Sequence, residues 1–186
     1  MGPYKNQLGM ILPTSVKTNK VNAGPASDSQ LLNLADLPSQ PWKNGGGVTT
    51  EIAIGPAGAT VENFSWRVSR ARIERDGDFS VFPGITRWIA LMEGPGCRLD
   101  FSDGTHLDLA PHRIFWFSGD LVTTCRLKDG RPCTVVNVMA RGEVVMRVNV
   151  ARSLSQVPSL GHAVVSSSGA AVRLDARHVL TADADR

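Results

Sequence analysis

Two arginines, a serine and an asparagine occupy positions from which side chains could bind a small anion. Arg67 and Ser69 alternate with apolar residues in one segment, and Arg87 begins a second apolar segment after a Pro-Gly turn. Asn137 lies in a third segment, four residues before Arg141. Alternate side chains share one face of a strand. If these side chains line a mostly apolar cavity, their guanidinium and amide groups would favour binding of a small carboxylate.

A structural role for the same arginines is the alternative. Arg67 and Arg87 would be costly inside a barrel unless they were paired, and Glu51 is the obvious partner for one of them. Such ion pairs would hold two sheets together and leave no binding site. The aromatic residues expected to flank the arginines are Trp66, Phe82 and Trp88.

A glycine-rich loop, Asn44–Gly45–Gly46–Gly47, precedes a β-branched segment. Its backbone N–H groups could hold an anion, or the glycines could permit one strand to cross closely over another. No P-loop Lys-Ser/Thr follows the loop, and no helix is predicted after it. The sequence leaves both interpretations open.

Metal and nucleophilic chemistry find little support. Two histidines two residues apart would share one face of a strand and could bind a metal ion together, but none of the four histidines has that spacing. No G-x-S-x-G motif is present. We therefore predict no metal site, no cofactor and no catalytic residue. The histidines are His106, His112, His162 and His178.

Composition narrows the class of protein further. The net charge is +3, and the sequence contains no run of five basic residues. Both observations disfavour nucleic acid as a partner. No apolar run approaches the roughly 20 residues of a membrane span, and the N-terminus does not resemble a signal peptide. The odd cysteine count of three, without a CxxC motif, favours free thiols in a reducing cytoplasm.

Short alternating segments separated by Gly, Asp and Pro turns predict about eight strands between residues 48 and 140. This spacing is typical of an all-β sandwich or barrel. A shift of the packed face near Arg70 suggests a bulge. We predict a mobile lead-in over residues 1–30, a main barrel over 31–141 and a smaller β-lobe over 142–186.

Four segments in this order resemble the HutD/Ves family: Trp42–Gly47, Phe64–Ser69, Phe79–Arg87 and Val136–Arg141. The resemblance extends from about residue 31 to 175. It implies a cupin-like double-stranded β-helix with two β-lobes, a bicupin-like arrangement in which the second lobe is small. It also implies a bacterial, cytoplasmic protein associated with histidine utilisation.

The resemblance further implies a small acidic metabolite of histidine catabolism, such as formylglutamate or urocanate, as ligand. The family often has an acidic residue where this chain has Val136 and a second arginine where it has Gly142. Contacts that depend on those two side chains are in doubt. The predicted ligand-binding residues are Asn44, Gly45, Gly46, Glu51, Arg67, Ser69, Phe82, Arg87, Asn137, Met139 and Arg141.

Three functions follow from these residues. The first is a regulator or modulator of histidine utilisation that binds an anionic metabolite near the glycine-rich loop. The second is a metal-free enzyme acting on a pathway intermediate, with a buried Glu51 as general acid or base. The third is an interaction protein whose cup is filled by Phe82 and Trp88. Cupin-like sheets often pair through their edges, so a homodimer is an expectation that the sequence leaves open.

Overall fold

The computed structural model describes residues 30–33, 36–111, 113–142, 164–165 and 170–173. Within these ranges regular structure is almost entirely β, as the alternating segments predict. The thirteen strands are β1 Gln30–Asn33, β2 Ser39–Pro41, β3 Gly47–Gly55, β4 Trp66–Ile73, β5 Gly77–Phe79, β6 Ile85–Glu93, β7 Cys97–Phe101, β8 His106–Asp108, β9 Ile114–Ser118, β10 Thr123–Leu127, β11 Cys133–Arg141, β12 Val164–Val165 and β13 Ala170–Arg173.

The strands form three antiparallel sheets. A six-stranded sheet has the order β2-β3-β4-β11-β6-β9, and a four-stranded sheet has the order β5-β10-β7-β8. The third sheet, β1-β13-β12, joins a strand near the start of the described chain to two strands near its end. The all-β, cupin-like prediction is confirmed, whereas the bicupin-like arrangement and the boundary near Arg141 stay predictions. Most of the predicted β-lobe over residues 142–186 lies outside the described residues.

The main core lies between the six-stranded and four-stranded sheets. Along β6 the side chains are alternately buried and half-buried, because every second residue faces this core. Burial of so much apolar surface is the main stabilising contribution to the fold. The fully enclosed members of this core are Ile73, Ile89, Leu99, Phe117 and Val135.

The predicted bulge near Arg70 is wrong. Strand β4 pairs with β11 without interruption from Ile73 to Trp66, and the irregularity on its other side lies in β3, between Glu51 and Ala53. The inner face of β4 changes from polar to apolar along its length without a change of face. The apparent shift of face arises because Trp66 and Val68 pack in one apolar cluster, whereas Ala71 and Ile73 pack in the main core on the opposite face.

Gly47 marks a close contact between β3 and β4. A Cβ atom at this residue would lie 2.3 Å from the carbonyl oxygen of Arg72. The glycine therefore permits a close approach between neighbouring strands of one sheet, and not the crossing of one strand over another that the sequence suggested.

No helix in the described part of the chain is long and apolar enough to cross a membrane.

Candidate anion site in the barrel

Pairing registers place three of the predicted site residues side by side on the inner face of the six-stranded sheet. Met139 on β11 is paired with Arg67 on β4 and with Arg87 on β6. Phe117 on β9 continues this row beyond Arg87. All four side chains are buried, with Arg67 8% and Arg87 5% exposed.

The next inward-facing row supplies the neutral polar groups. Asn137 is paired with Ser69 on one side and with Ile89 on the other, and both polar residues are buried. The apolar core continues beyond Ile89. On the opposite side of the arginine row, Phe64, Ile85 and Met139 form a second apolar cluster. The polar residues therefore form an island within an apolar interior.

Arg87 is a buried cation without a carboxylate partner among the described residues. It donates hydrogen bonds of 3.3 Å from Nη1 to the carbonyl oxygen of Ser80 and of 3.3 Å from Nη2 to Oδ1 of Asn137. Its buried Nε has no hydrogen-bond partner among the described residues. Both acceptors are neutral and the bonds are long, so the positive charge is only partly compensated.

Three phenyl rings surround this guanidinium. Its Cζ lies 4.9 Å from the ring centroid of Phe117, 5.3 Å from that of Phe79 and 5.6 Å from that of Phe82. Desolvation by burial, together with the positive charge of Arg67, lowers the pKa of Arg87 to about 9. The aromatic faces attract the cation but do not neutralise it.

Arg67 forms an ion pair with Glu51, as the sequence predicts. Its Nε donates to Oε2 of Glu51 over 3.0 Å. The side chain of Glu51 is 40% exposed, whereas that of Arg67 is 9% exposed. Glu51 therefore lies at the solvent-facing side of the pair, and the burial required by the general acid or base hypothesis is absent.

The prediction that Trp66 and Trp88 flank the arginines is wrong. Both tryptophans pack in a separate apolar cluster with Val68 and Val138. They precede or follow an arginine directly in the sequence, so the alternation of a strand turns them to the opposite face of the sheet. Only Phe82 of the three expected aromatic residues contacts Arg87.

The glycine-rich loop does not join the arginine row. Gly47 is paired with Ile73, six residues along β4 from Arg67, which corresponds to about 20 Å of strand. The N–H groups of Gly45 and Gly46 already donate to the Trp42 carbonyl and to Oδ1 of Asn44. These donors are engaged within the loop, so the expectation of a ligand beside it is not supported.

Arg141 lies in a surface pocket of about 390 Å³ instead of beside the buried arginines. Its Nε donates to the carbonyl oxygen of Phe64 over 3.1 Å, and its two terminal nitrogens approach the carbonyls of Pro83 and Glu62 at 3.5 Å. No carboxylate pairs with it among the described residues. The pocket is lined by Val61, Glu62, Val81, Phe82, Pro83 and Arg141.

Sequence reasoning missed three groups around Arg87. The carbonyl of Ser80 carries no side-chain signal, and Phe79 belongs to the four-stranded sheet rather than to the sheet that holds Arg87. The position of Phe117 follows from the pairing of β6 with β9. Alternation of apolar and polar residues shows which side chains of a strand share a face, but it does not show which strand lies beside it.

No group of three His, Cys, Asp or Glu residues within the described ranges is placed to hold a metal ion. His112, His162 and His178 lie outside those ranges, and His106 is exposed.

The HutD family matches residues 34–184 of this chain. The chain belongs to the HutD family. Two curated relatives agree with this. The HutD chain is 35% identical over 143 residues to protein Ves of Citrobacter koseri, which covers 76% of the chain and 74% of the relative. It is 42% identical over 104 residues to an uncharacterised 21.2 kDa protein from the hutC 3′ region of Pseudomonas putida.

The match to the Pseudomonas putida protein covers 56% of this chain and 54% of that relative. The chain therefore spans about half the length of this relative. Among solved structures, HutD from Pseudomonas fluorescens SBW25 in a formate condition is 36% identical, with a TM-score of 0.56 and 61% of each chain covered. A conserved protein of unknown function from Pseudomonas aeruginosa PAO1 is also 36% identical, with a TM-score of 0.57, covering 62% of this chain and 58% of that one. The family name and these relatives link the chain to histidine utilisation.

Proposed function

We propose that this HutD-family chain binds a small carboxylate metabolite of histidine catabolism in the barrel and thereby modulates histidine utilisation. The buried Arg87 guanidinium carries the proposal, because within the described ranges its charge meets only two neutral acceptors at 3.3 Å and its Nε has no partner. A bound carboxylate would supply the missing negative charge and accept the unused N–H. We place this activity in the cytoplasm, where three buried free thiols are expected to persist.

Each residue of the island has a role in the proposal. Arg87 provides the charge, and Asn137 holds Nη2 of the guanidinium through its Oδ1. Arg67 supplies a second positive charge that its pair with Glu51 only partly neutralises. Ser69 adds a hydroxyl in the same row as Asn137. This combination favours an anion whose carboxylate is small enough to enter a site bounded by phenyl rings.

A filled barrel is the second candidate function. The rings of Phe79, Phe82 and Phe117 already surround Arg87, so this cation–aromatic cluster could serve only to stabilise an interaction protein. The two functions differ in what Arg87 contributes to the ligand-free protein. If Arg87 serves only to bind a ligand, its replacement should cost the ligand-free protein little stability, whereas loss of a stabilising cation–aromatic cluster should cost more.

Calorimetric titration distinguishes the candidates. We expect one of formate, urocanate, formylglutamate, glutamate or histidine to bind saturably to the wild-type protein and to raise its Tm. Arg87→Met removes the charge while keeping an apolar side chain of similar length, and should abolish binding. Arg126→Ala is the matched control, because Arg126 is exposed and paired with Asp100. Absence of binding by all five compounds would favour the filled barrel.

A further inference from the structure

Phe82 separates the buried Arg87 from the surface pocket that contains Arg141. Its ring centroid lies 5.6 Å from Cζ of Arg87, and the same residue lines the 390 Å³ pocket. Phe82 is half-buried, in contrast to Phe117, which is fully enclosed. The pocket therefore lies on the solvent side of the Phe82 ring, which is the outermost of the three rings around the charge.

The backbone of this segment is held firmly. Phe82 donates its N–H to the carbonyl of Gly119 over 2.8 Å and accepts the N–H of Ile85 over 3.2 Å. A Cβ atom at Gly119 would lie 2.4 Å from the Phe82 carbonyl oxygen, so the two segments are in close contact. Gly84 is further fixed by a hydrogen bond from its N–H to Asp120. Movement at this point is therefore expected in the side chain rather than in the loop.

The Phe82 ring also packs edge-on against Phe64, with the two ring centroids 6.2 Å apart. Because the ring is only half-buried and its backbone is fixed, we expect it to change rotamer while the sheet stays in place. On the pocket side, Arg141 holds only one carbonyl at an ordinary distance, and its two terminal nitrogens reach theirs at 3.5 Å. These nitrogens are donors that an incoming anion could engage without breaking strong hydrogen bonds. The exposed side chains of Val61 and Val81 form the apolar rim.

We infer that this pocket is the entrance to the barrel, that the Phe82 ring is its gate, and that Arg141 is the first contact for a small carboxylate on its way to Arg87. The purpose of the gate rests on the proposed function. Its existence does not, because access to Arg87 can be measured with a reagent that is not the ligand.

Arginine modification by phenylglyoxal, followed by peptide mass mapping, measures this access directly. In the wild-type protein we expect Arg87 to react far more slowly than exposed arginines such as Arg126. Phe82→Ala should accelerate modification of Arg87 by about tenfold or more, because reactivity follows the population of the open form. Phe82→Trp should not accelerate it, and Val81→Ala, which trims the rim but keeps the ring, should leave the rate close to wild type.

Thiol reactivity shows whether a faster modification of Arg87 results only from unfolding of the variant. The three core cysteines are buried and should stay unreactive in a folded variant. If Phe82→Ala exposes them, Phe82→Leu replaces it in the comparison. An unchanged rate at Arg87 in the folded variant, or wild-type Arg87 that reacts as fast as Arg126, would overturn the gate. Carboxylate binding that persists with an unchanged modification rate would remove the gate and leave the proposed function standing.

Discussion

At the scale of single residues, the uncompensated charge of Arg87 is the least conventional feature of the molecule. Buried cations in proteins are normally paired, and removal of one member of a buried ion pair is strongly destabilising. Here the described residues offer Arg87 no carboxylate, and Arg67 adds a like charge nearby. The ligand-free protein therefore bears an electrostatic cost that a bound anion would relieve.

Replacement of Arg87 by Met tests this cost. At pH 7 we expect the ligand-free variant to lose no more than about 1 kcal/mol of unfolding free energy, because the lost hydrogen bonds are offset by removal of an unpaired buried charge. Urea unfolding monitored by tryptophan fluorescence provides the measurement. A loss of about 3 kcal/mol or more would instead assign Arg87 to the stabilising core of a filled barrel.

The difference in unfolding free energy between wild type and Arg87→Met should change with pH in a definite direction. The pKa of Arg87 is lowered to about 9 in the folded protein, well below the ordinary value of an arginine. Above pH 9 the unfolded chain therefore binds more protons at this residue than the folded one, and wild type gains stability relative to Arg87→Met as pH rises. The gain is at most about 1.4 kcal/mol per pH unit, from about pH 9 up to the ordinary pKa of an arginine.

Wild type must be compared with the variant because titration of the core thiols changes stability at alkaline pH in the direction opposite to that of Arg87. Hydrogen bonding to Cys125 raises the pKa of Cys97, and hydrogen bonding to Cys97 raises that of Cys133. Both effects reduce stability at alkaline pH, and both are present in each protein. A difference between wild type and Arg87→Met that stays constant from pH 8 to 10 would show that Arg87 does not titrate as described.

Glu51→Gln provides a residue-scale test of the ion pair. The substitution removes a negative charge beside Arg67 while it keeps an acceptor in place. We expect carboxylate affinity to rise roughly threefold to tenfold, corresponding to about 1 kcal/mol of charge interaction. Calorimetric titration of both proteins measures it. Unchanged affinity would place Arg67 outside the site, and lost affinity would point to a direct role for Glu51.

At the scale of strands, pairing registers decide which side chains meet. The alternation of Arg67 and Ser69 with apolar residues correctly predicted that they share a face. It could not predict that Met139 would lie between the two arginines, because that depends on β11 joining β4 and β6. The glycine-rich loop was misplaced for the same reason, since its distance from Arg67 depends on the direction and pairing of β3.

Gly47→Ala tests the close contact between β3 and β4. The new Cβ would lie 2.3 Å from the Arg72 carbonyl oxygen, so the strands must separate and we expect a loss of about 1–3 kcal/mol in unfolding free energy. Gly77→Ala is the matched control, because its Cβ would meet only Asn44 Nδ2 at 3.5 Å, and its effect should stay within about 0.5 kcal/mol. Equal effects at both positions would contradict the close contact.

At the scale of the whole molecule, the buried cysteines and the polar island around Arg87 lie in different parts of the interior. Cys97, Cys125 and Cys133 belong to the main core, whereas the arginine island lies towards the end capped by Phe64 and Ile85. The all-β class and the family could be predicted from the sequence, since both depend on local alternation and ordered motifs. The separation of Arg141 from Arg67 and Arg87 could not, because it arises from how strand ends and loops meet.

Thiol accessibility provides the molecule-scale prediction. All three cysteines should react with a thiol reagent such as dithiobis(nitrobenzoic acid) only through large-scale opening, since each is buried in the core. Labelling rates should therefore rise with urea in parallel with unfolding. Rapid labelling of any of them in native buffer would contradict the packing described for this core.

Titration of the purified protein with formate, urocanate, formylglutamate, glutamate and histidine is the most direct test of an anion site at Arg87. The wild-type protein should bind one of these acids saturably at pH 7, and binding should weaken as pH rises above about 9 and the guanidinium loses its proton. Arg87→Met should not bind it, and Arg126→Ala should bind it as wild type does. Binding that is equally strong in Arg87→Met, or no binding by wild type, would contradict the site.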